Sequence, residues 1–259
     1  MKPLSALEPR EVRAVLFDID ETLTTGGRLT APAYAALERL KAAGKLVVPV
    51  TGRPAGWCDH IARMWPVDAV VGENGAFYFG LFDGKLLKRF HDDAATRARN
   101  RALLEQIAQR ILAAVPGCAL ASDQAYRESD LAIDYCEDVA PLPVATAERI
   151  ASVMREAGLT AKVSSIHVNG WFGAYDKLAM TKLLFAERLG VDLSRNGRST
   201  VFAGDSPNDS PMFAFFENSV GVANIRRFEG VLPEKPRYVT RAAAGDGFAE
   251  LAAHLLRCG

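Results

Sequence analysis

The chain has 259 residues, and its 31 basic side chains (Lys and Arg) balance its 31 acidic ones (Asp and Glu), so the formal net charge is zero. This balance argues against a general binder of nucleic acid or of anionic membranes, because both need an excess of basic residues. With 49% hydrophobic and 24% charged residues, the composition is that of a folded globular protein and excludes a disordered chain.

Targeting signals and metal-type cysteine patterns are not found in the sequence. The first ten residues contain no continuous apolar run, and no segment approaches the roughly 18 apolar residues of a membrane span. We therefore expect a cytoplasmic protein. The cysteines lie far apart without a CxxC or paired-His spacing, which predicts reduced thiols and no zinc site or disulfide framework. They are Cys58, Cys118, Cys136 and Cys258.

The first predicted elements are a strand, a helix and a second strand. Residues 12–17 form a short apolar run that ends abruptly before an acidic segment, as a buried strand does. Residues 31–43 have apolar positions at helical spacing, with Thr30 as the predicted N-cap and Gly44 after the last turn. Residues 46–50 predict a second buried strand, so the order indicates a βαβ unit with parallel strands.

The middle of the chain has a different pattern. Residues 77–82 and 85–90 predict a hairpin around Asp83 and Gly84, because Asp-Gly favours a two-residue turn. The remaining predicted elements are strands at 68–71, 131–135, 160–164 and 200–203, and helices at 96–115, 145–157, 178–189 and 248–256. The alternating α/β pattern thus returns after residue 176.

These elements predict an α/β fold with two parts. Both ends of the chain, residues 1–84 and 176–259, are expected to form a doubly wound core around a parallel sheet. Residues 85–175 are expected to form an inserted α+β domain. No internal repeat or low-complexity linker interrupts this organisation.

Two acidic segments follow predicted buried strands. Asp18 and Asp20 come directly after the first strand, and Asp205 and Asp209 after the strand at 200–203. Ligands of open α/β sheets bind at the carboxyl ends of strands, and clustered carboxylates need a shared cation or proton. Carboxylates from two strand ends could hold magnesium. Each segment alone can also be explained structurally, as an acidic turn with a threonine cap or as an Asx turn that caps a helix.

Two further segments offer groups for an anion. Thr51, Gly52 and Arg53 follow the second strand and provide a hydroxyl, a flexible backbone and a cation. Lys177 precedes the predicted helix at 178–189. Taken alone, the first segment is more typical of a strand-to-helix connection, and the second of a solvated lysine.

In chain order, DxDxT, TGR, the helix-leading lysine and GDxxND resemble the four motifs of the haloacid dehalogenase (HAD) superfamily of phosphotransferases. The intervals and the segment at 73–76 (ENGA) are similar to the subgroup with a large α/β cap domain between the second and third motifs, HAD subfamily IIB. That subgroup includes Cof-like sugar phosphatases, sucrose-phosphate phosphatase, mannosyl-3-phosphoglycerate phosphatase and phosphomannomutase. The resemblance implies a HAD core with the middle domain as its cap.

The resemblance also implies roles for individual residues. Asp18 would be the nucleophile that forms a phosphoaspartyl intermediate, and Asp20 the general acid and base. Thr51 and Lys177 would stabilise the transferring phosphoryl group. The implied substrate-binding residues are Thr22, Gly52, Arg53, Asn74 and Asn208. The implied Mg²⁺ site consists of Asp18, Asp20 through its backbone carbonyl, Asp205 and Asp209.

The sequence departs from the family pattern at two positions. Glu21 and Leu178 stand where relatives often have Gly. The TGR form of the second motif favours hydrolysis over mutase chemistry. The resemblance implies a small phosphorylated metabolite as substrate, with a sugar or glycosyl phosphate favoured and other phosphate monoesters, including nucleotide and cofactor phosphates, left open. Candidate cap contacts are Arg127, Asp134, His167, Asn169 and Trp171. A structural explanation is favoured for each alone: His167 and Trp171 as packing residues of a strand, Asp134 as a solvent-facing residue by strand alternation, and Arg127 as a surface charge. We expect a monomer or small homo-oligomer.

Three alternatives stay open from the sequence. The first is a phosphohexomutase of the same superfamily. The second is a phosphoacceptor signalling module, although such modules are usually uncapped. The third is a non-catalytic sugar-phosphate binding protein, although binding a dianion alone requires neither Asp18 nor Asp20.

Overall fold

The apolar runs of the chain form a parallel sheet. The computed structural model describes residues 1–9, 11–194 and 197–257. In that part of the chain, six strands lie in the order β1-β13-β12-β11-β2-β3, and all neighbouring strands are parallel. These strands are β1 (Lys2–Pro3), β2 (Ala14–Phe17), β3 (Leu46–Pro49), β11 (Thr200–Gly204), β12 (Asn218–Gly221) and β13 (Tyr238–Val239).

Helices cover both faces of this sheet. Val15 and Val201 pack against α1 (Ala31–Ala42) and α7 (Ala244–Leu255). Leu16 and Phe202, the neighbours of those residues along each strand, pack against the opposite layer, which is built from α5 (Lys177–Leu184) and α6 (Ser210–Phe215). Successive side chains of a strand point to opposite faces, so strands buried on both sides must be continuously apolar. The doubly wound core predicted from the sequence is confirmed.

A hairpin extends the core. β4 (Val70–Gly72), β5 (Phe77–Phe82) and β6 (Lys85–Phe90) form an antiparallel sheet, and a single parallel bridge between Val50 and Val71 links β4 to the main sheet. The hairpin residues agree with the prediction, and its turn has positive φ at both Asp83 (52°) and Gly84 (74°), as a type I′ turn requires. The predicted domain boundary lies in this turn and stays a prediction.

The inserted α+β domain has its own sheet and core. β7 (Ala119–Leu120), β8 (Leu131–Asp134), β10 (His167–Trp171) and β9 (Thr160–Val163) lie in that order and are antiparallel. Two helices, α3 (Ala94–Ala114) and α4 (Val144–Glu156), pack on this sheet through an apolar cluster separate from those of the core.

Two elements were not predicted from the sequence, and one predicted helix and one predicted helix cap differ from the prediction. α2 (Ala55–Met64) and β10 were not predicted. The helix expected at 178–189 is α-helical only to Leu184 and continues as a π-helical turn. Thr30 precedes α1, but its hydroxyl makes no capping hydrogen bond. Three cysteines are free thiols, while Cys258 lies outside the described residues. None of the helices in the described ranges is long and apolar enough to cross a membrane.

We predict that Gly75→Ala destabilises the fold by about 3 kcal/mol, which urea unfolding would measure. Gly75 has φ of 106°, and a Cβ there would lie 2.1 Å from the carbonyl oxygen of Asp176. Backbone strain and overpacking each cost roughly 1–3 kcal/mol. Gly44→Ala is the matched control, since Gly44 has φ of 74° and nothing within 4 Å of its Cβ position. Equal losses in the two variants would contradict the steric argument.

Candidate functional site

The acidic segments meet at one edge of the core sheet. β2 lies between β11 and β3, all three strands run in the same direction, and Asp18, Thr51 and Asp205 follow their ends. The backbone N–H of Asp18 donates to the carbonyl of Ala203 at 2.9 Å, which ties the first motif to the end of β11. The parallel register therefore brings together residues almost 190 positions apart in the sequence.

Three buried carboxylates form the centre of the site. One oxygen from each of Asp18, Asp205 and Asp209 can be chosen so that all three lie within 4.8 Å of one another. Asp209 is held by its own loop, because its Oδ2 accepts the backbone N–H groups of Asp205 (3.1 Å) and Ser206 (3.4 Å). A Cβ at Gly204 would lie 2.4 Å from that same Oδ2. Only glycine at this strand end leaves room for the Asp209 carboxylate.

Lys177 partly neutralises this cluster. Its Nζ lies 3.1 Å from Asp18 and 2.9 Å from Asp209, and its side chain is 4% exposed. Its place is the first residue of α5, where the side chain of Asp176 caps the helix by accepting the N–H of Ala179. Burial disfavours the ammonium ion, but the two carboxylates outweigh burial and raise the pKa of Lys177.

The carboxylates outnumber the buried cation. Burial, together with the charges of Asp209 and Asp20, raises the pKa of Asp18 to about 7, although Lys177 opposes the shift. Burial and the charges of Asp18 and Asp209 raise the pKa of Asp205 well above its usual value. Arg227 approaches Asp205 at 3.2 Å, but its side chain is half-exposed. A divalent cation would relieve this excess negative charge, and oxygen ligands suit a hard cation, so the cluster fits a metal ion.

Asp20 is turned away from the carboxylate cluster. Its Oδ1 accepts hydrogen bonds from Nε (3.0 Å) and Nη2 (2.8 Å) of Arg53. The cluster thus contains the side chain of Asp18 but not that of Asp20. Arg53 also reaches the inserted domain, where it donates to Asp123 and Glu137.

The inserted domain closes over the site. The turn between β9 and β10 places several residues in one pocket with Asp18, Asp20, Arg53 and Asn208. The pocket residues from the inserted domain are Ser164, Ser165, Ile166, His167 and Asn169. His167 and Asn169, two of the predicted cap contacts, therefore line the site.

The segment at 73–76 joins the core to the inserted domain. Glu73 is fully buried, and its carboxylate accepts N–H groups from Ala55 in α2 and from residues 128–130 of the inserted domain. Burial and the charge of Asp130 raise the pKa of Glu73 to about 8, although the surrounding N–H groups and Arg127 oppose the shift. No sequence pattern singled out the Glu73 side chain, because its partners are backbone groups distant along the chain.

The other three predicted cap contacts do not line that pocket and make structural contacts instead. Arg127 is buried and not a surface charge, since it bonds to Asp123, Asp130 and the carbonyl of Gly52. Asp134 was expected to face solvent by strand alternation, which is wrong: it is 1% exposed. Its carboxylate accepts the N–H groups of residues 136–138 and so builds the turn after β8. Trp171 packs in the core and donates to the carbonyl of Tyr175.

The other predicted site residues lie around the pocket. Thr22 donates to Asp205 at 3.4 Å, and the hydroxyl of Thr51 accepts the N–H of Arg53. The side-chain amide of Asn74 donates to Asp130. Asn74 lies beside Gly52 and has φ of 55°. Asn208 accepts from Ser206.

Glu21 adopts the left-handed conformation, with φ of 56°. This backbone conformation favours glycine, which explains physically why glycine suits the position. The Glu21 backbone is fixed on both sides, since its N–H donates to Thr24 and its carbonyl accepts from Asn224. These two hydrogen bonds hold Glu21 in its left-handed conformation.

Comparison with known proteins agrees with this geometry. A family model described as haloacid dehalogenase-like hydrolase matches residues 12–216. A phosphoglycolate phosphatase of Methanothrix thermoacetophila is 26% identical over 255 residues, which cover 96% of this chain and 99% of the relative.

Two solved structures share the fold at lower identity. The sucrose-phosphatase of Synechocystis sp. PCC6803, in complex with sucrose and phosphate, has a TM-score of 0.63 at 16% identity and covers 95% of this chain and 98% of its own. A HAD/COF-like hydrolase of Plasmodium vivax has a TM-score of 0.69 at 15% identity and covers 98% and 99%.

Proposed function

The chain belongs to the haloacid dehalogenase-like hydrolase family and is a phosphatase, and within this family we propose a magnesium-dependent enzyme that hydrolyses a small phosphate monoester through a phosphoaspartyl intermediate. The observation that carries the proposal is the buried cluster of Asp18, Asp205 and Asp209 beside Lys177. Burial of three carboxylates is unfavourable for the free energy of folding. A role in binding or catalysis explains why the chain keeps them together.

The first step is a displacement at phosphorus. A carboxylate oxygen of Asp18 forms a bond to phosphorus while the bond to the ester oxygen breaks. Asp20 gives its proton to the departing oxygen, which leaves as the alcohol. Lys177, whose Nζ contacts Asp18, and the hydroxyl of Thr51 would stabilise charge on the phosphoryl oxygens.

The second step regenerates the enzyme. Asp20, now a carboxylate, removes a proton from water, and the resulting hydroxide attacks the phosphorus of the phosphoaspartate. The bond between phosphorus and the Asp18 oxygen breaks, which releases inorganic phosphate. One group therefore serves as acid and then as base, so the proton count balances over the cycle.

Magnesium would be held by Asp18, Asp205 and Asp209, with the backbone carbonyl of Asp20. When bound, it supplies positive charge that screens the anionic nucleophile from the phosphate dianion. Thr22 supports the site through its hydrogen bond to Asp205.

We propose a sugar or glycosyl phosphate as the substrate. The sucrose-phosphatase among the structural neighbours supports a phosphorylated sugar. The polar side chains of the inserted domain that line the pocket, Ser164, Ser165, His167 and Asn169, support a hydroxylated leaving group. A phosphoglycolate phosphatase activity is the second candidate, because a relative that matches almost the whole chain carries that name.

The test is phosphate release from a panel of monoesters, including hexose phosphates and phosphoglycolate, with magnesium and with EDTA. We expect turnover only with magnesium, and acid quenching during turnover of a ³²P-labelled ester should trap label on the protein. Turnover in EDTA, or metal-dependent turnover without trapped label in a variant slowed at its second step, would contradict the mechanism. That variant is Asp20→Asn assayed with p-nitrophenyl phosphate, since it lacks the base for the second step and the phenolate leaving group does not need the acid for the first.

We predict that magnesium binding tightens as the pH rises from about 5.5 to 7.5. The pKa of Asp18 is raised by burial to about 7, and that of Asp205 is raised too, so binding below that pH must displace protons. Each displaced proton changes the apparent Kd by about tenfold per pH unit below the pKa. Titration calorimetry in buffers of different ionisation enthalpy would count the protons. A Kd that is equal at both pH values would contradict this.

A further inference from the structure

The guanidinium group of Arg53 joins the core to the inserted domain at the acid/base residue. Arg53 is 3% exposed. One edge of its guanidinium, Nε and Nη2, faces Asp20 at 2.8–3.0 Å. The other edge faces Glu137, with Nη2 at 2.5 Å from Oε1 and Nη1 at 3.3 Å from Oε2. Paired hydrogen bonds of this kind fix the guanidinium plane as well as its position.

One face of the Arg53 guanidinium and its remaining donor are also engaged. Its Cζ lies 4.4 Å from the ring centroid of Trp57, within the range of a cation–π contact. Nη1 also donates to Asp123 of the inserted domain at 3.2 Å. Arg53 therefore has little freedom to donate to a substrate while the inserted domain is docked.

Glu137 is itself held in place. Its backbone N–H donates to Asp134 at 2.8 Å, in the turn that Asp134 organises after β8. Nε2 of His167 lies 2.8 Å from Oε2 of Glu137, although the direction of this contact does not satisfy a hydrogen bond. Burial would raise the pKa of Glu137, but the contacts with His167 and Arg53 outweigh it and lower the pKa to about 2. Glu137 is therefore a fixed carboxylate at neutral pH.

The contacts form one chain from the inserted domain to the reacting groups. Glu137 holds Arg53, and Arg53 holds the carboxylate of Asp20, two residues from the nucleophile. Without Glu137, the Nη1 edge of Arg53 would keep only Asp123, and rotation of the guanidinium would move Asp20. A misplacement of about 1 Å can cost on the order of 100-fold in rate.

This inference rests on the proposed function: we propose that Glu137 is a positioning residue that, through Arg53, orients Asp20 for proton transfer to the leaving group. Docking of the inserted domain then completes the acid/base apparatus. Asp20 is in place only when Glu137 has reached Arg53. Glu137 makes this contribution without touching the substrate.

The test compares leaving groups that differ in their need for a proton. An alkyl phosphate such as glucose 6-phosphate releases a basic alkoxide that requires Asp20, whereas p-nitrophenyl phosphate releases a stable phenolate that does not. The readout is the ratio of kcat/KM for the alkyl ester to that for the aryl ester, because kcat/KM reports on the first chemical step. For Glu137→Gln we expect this ratio to fall at least tenfold, since general acid catalysis contributes about 10² to 10⁴.

Two further variants make the comparison decisive. Glu128→Gln is the matched control, because Glu128 is a half-exposed carboxylate of the inserted domain that pairs with Arg97 and Arg101 and not with Arg53. It should leave the ratio within twofold of the wild type. Arg53→Lys should lower the ratio as Glu137→Gln does, because an ammonium cannot hold two carboxylates by paired hydrogen bonds. This variant keeps the test open if Glu137→Gln does not fold.

The outcomes separate this inference from the proposed function. If Glu137→Gln lowers kcat/KM equally for both esters, or leaves both unchanged, Glu137 does not position Asp20. If the wild type hydrolyses neither ester, or if Asp18→Asn retains full activity, the proposed function fails and this inference fails with it. A selective loss on the alkyl ester in both Glu137→Gln and Arg53→Lys supports the positioning role.

Discussion

Asp18→Asn should abolish turnover while the fold stays at least as stable as the wild type. The amide cannot attack phosphorus, and removal of an enzyme nucleophile costs on the order of 10⁴-fold or more in kcat. Phosphate release in the presence of magnesium measures this loss. The same variant should trap no label when the reaction is quenched with acid.

The stability expectation for Asp18→Asn follows from its pKa. Burial raises the pKa of Asp18 from 3.8 to about 7, so between these pH values the folded state binds more protons than the unfolded state. The free energy of unfolding of the metal-free wild type therefore falls as the pH rises from about 4 to about 7. Asp18→Asn lacks this contribution and should unfold at equal or higher urea concentration at pH 8.

Asp59→Asn is the control for Asp18→Asn. It changes a carboxylate on α2, outside the site, that pairs with Arg63 and Lys88 near the surface. It should retain activity. Residual activity of Asp18→Asn within about tenfold of the wild type would show that Asp18 is not the nucleophile, whatever its effect on stability.

Of the proposed variants, Lys177→Met should lower the free energy of unfolding of the metal-free protein the most. Lys177 is the buried cation between Asp18 and Asp209, and its removal leaves three buried carboxylates without a buried positive partner. Removing one partner of a buried ion pair costs about 3–5 kcal/mol. Urea unfolding in EDTA at pH 8 would measure the loss, and added magnesium should restore part of it by binding the folded state.

Lys177→Met should also lower kcat by about 10² to 10³, the usual effect of losing a group that stabilises transition-state charge. Lys235→Met is the matched control, because Lys235 pairs with Glu229 at 3.5 Å and both side chains are about half exposed. Such pairs contribute at most about 1 kcal/mol. Equal losses of stability in the two lysine variants would contradict a role for Lys177 in balancing the carboxylates.

The family and the core could be predicted because their signals are local. Continuous apolar runs at residues 12–17 and 200–203 end abruptly at acidic residues, and only a strand buried on both faces needs such a run. The family inferred from the four motifs is confirmed by the match over residues 12–216. The roles assigned to individual residues stay predictions.

β10 and α2 were missed for different reasons. β10 contains Asn169 and Gly170, both poor strand formers, yet it is the central partner of β8 and β9. Gly170 suits this place because a Cβ would lie 2.7 Å from the sulfur of Met154 in α4. The buried residues of α2 recur at helical spacing, but Pro54 before it and Gly56 within it are typical of a loop, so no helix was predicted. Packing against β4 and β5 stabilises α2.

The sequence by itself determined the parallel core, the inserted domain and the set of carboxylates with Lys177, because chain order and strand ends fix which residues share an edge of a sheet. Only the tertiary structure decided what surrounds them. Arg53 meets Asp123 and Glu137 across 70 and 84 residues of chain. Such contacts depend on how two domains with separate apolar cores dock, and no periodicity or spacing in the sequence encodes that geometry.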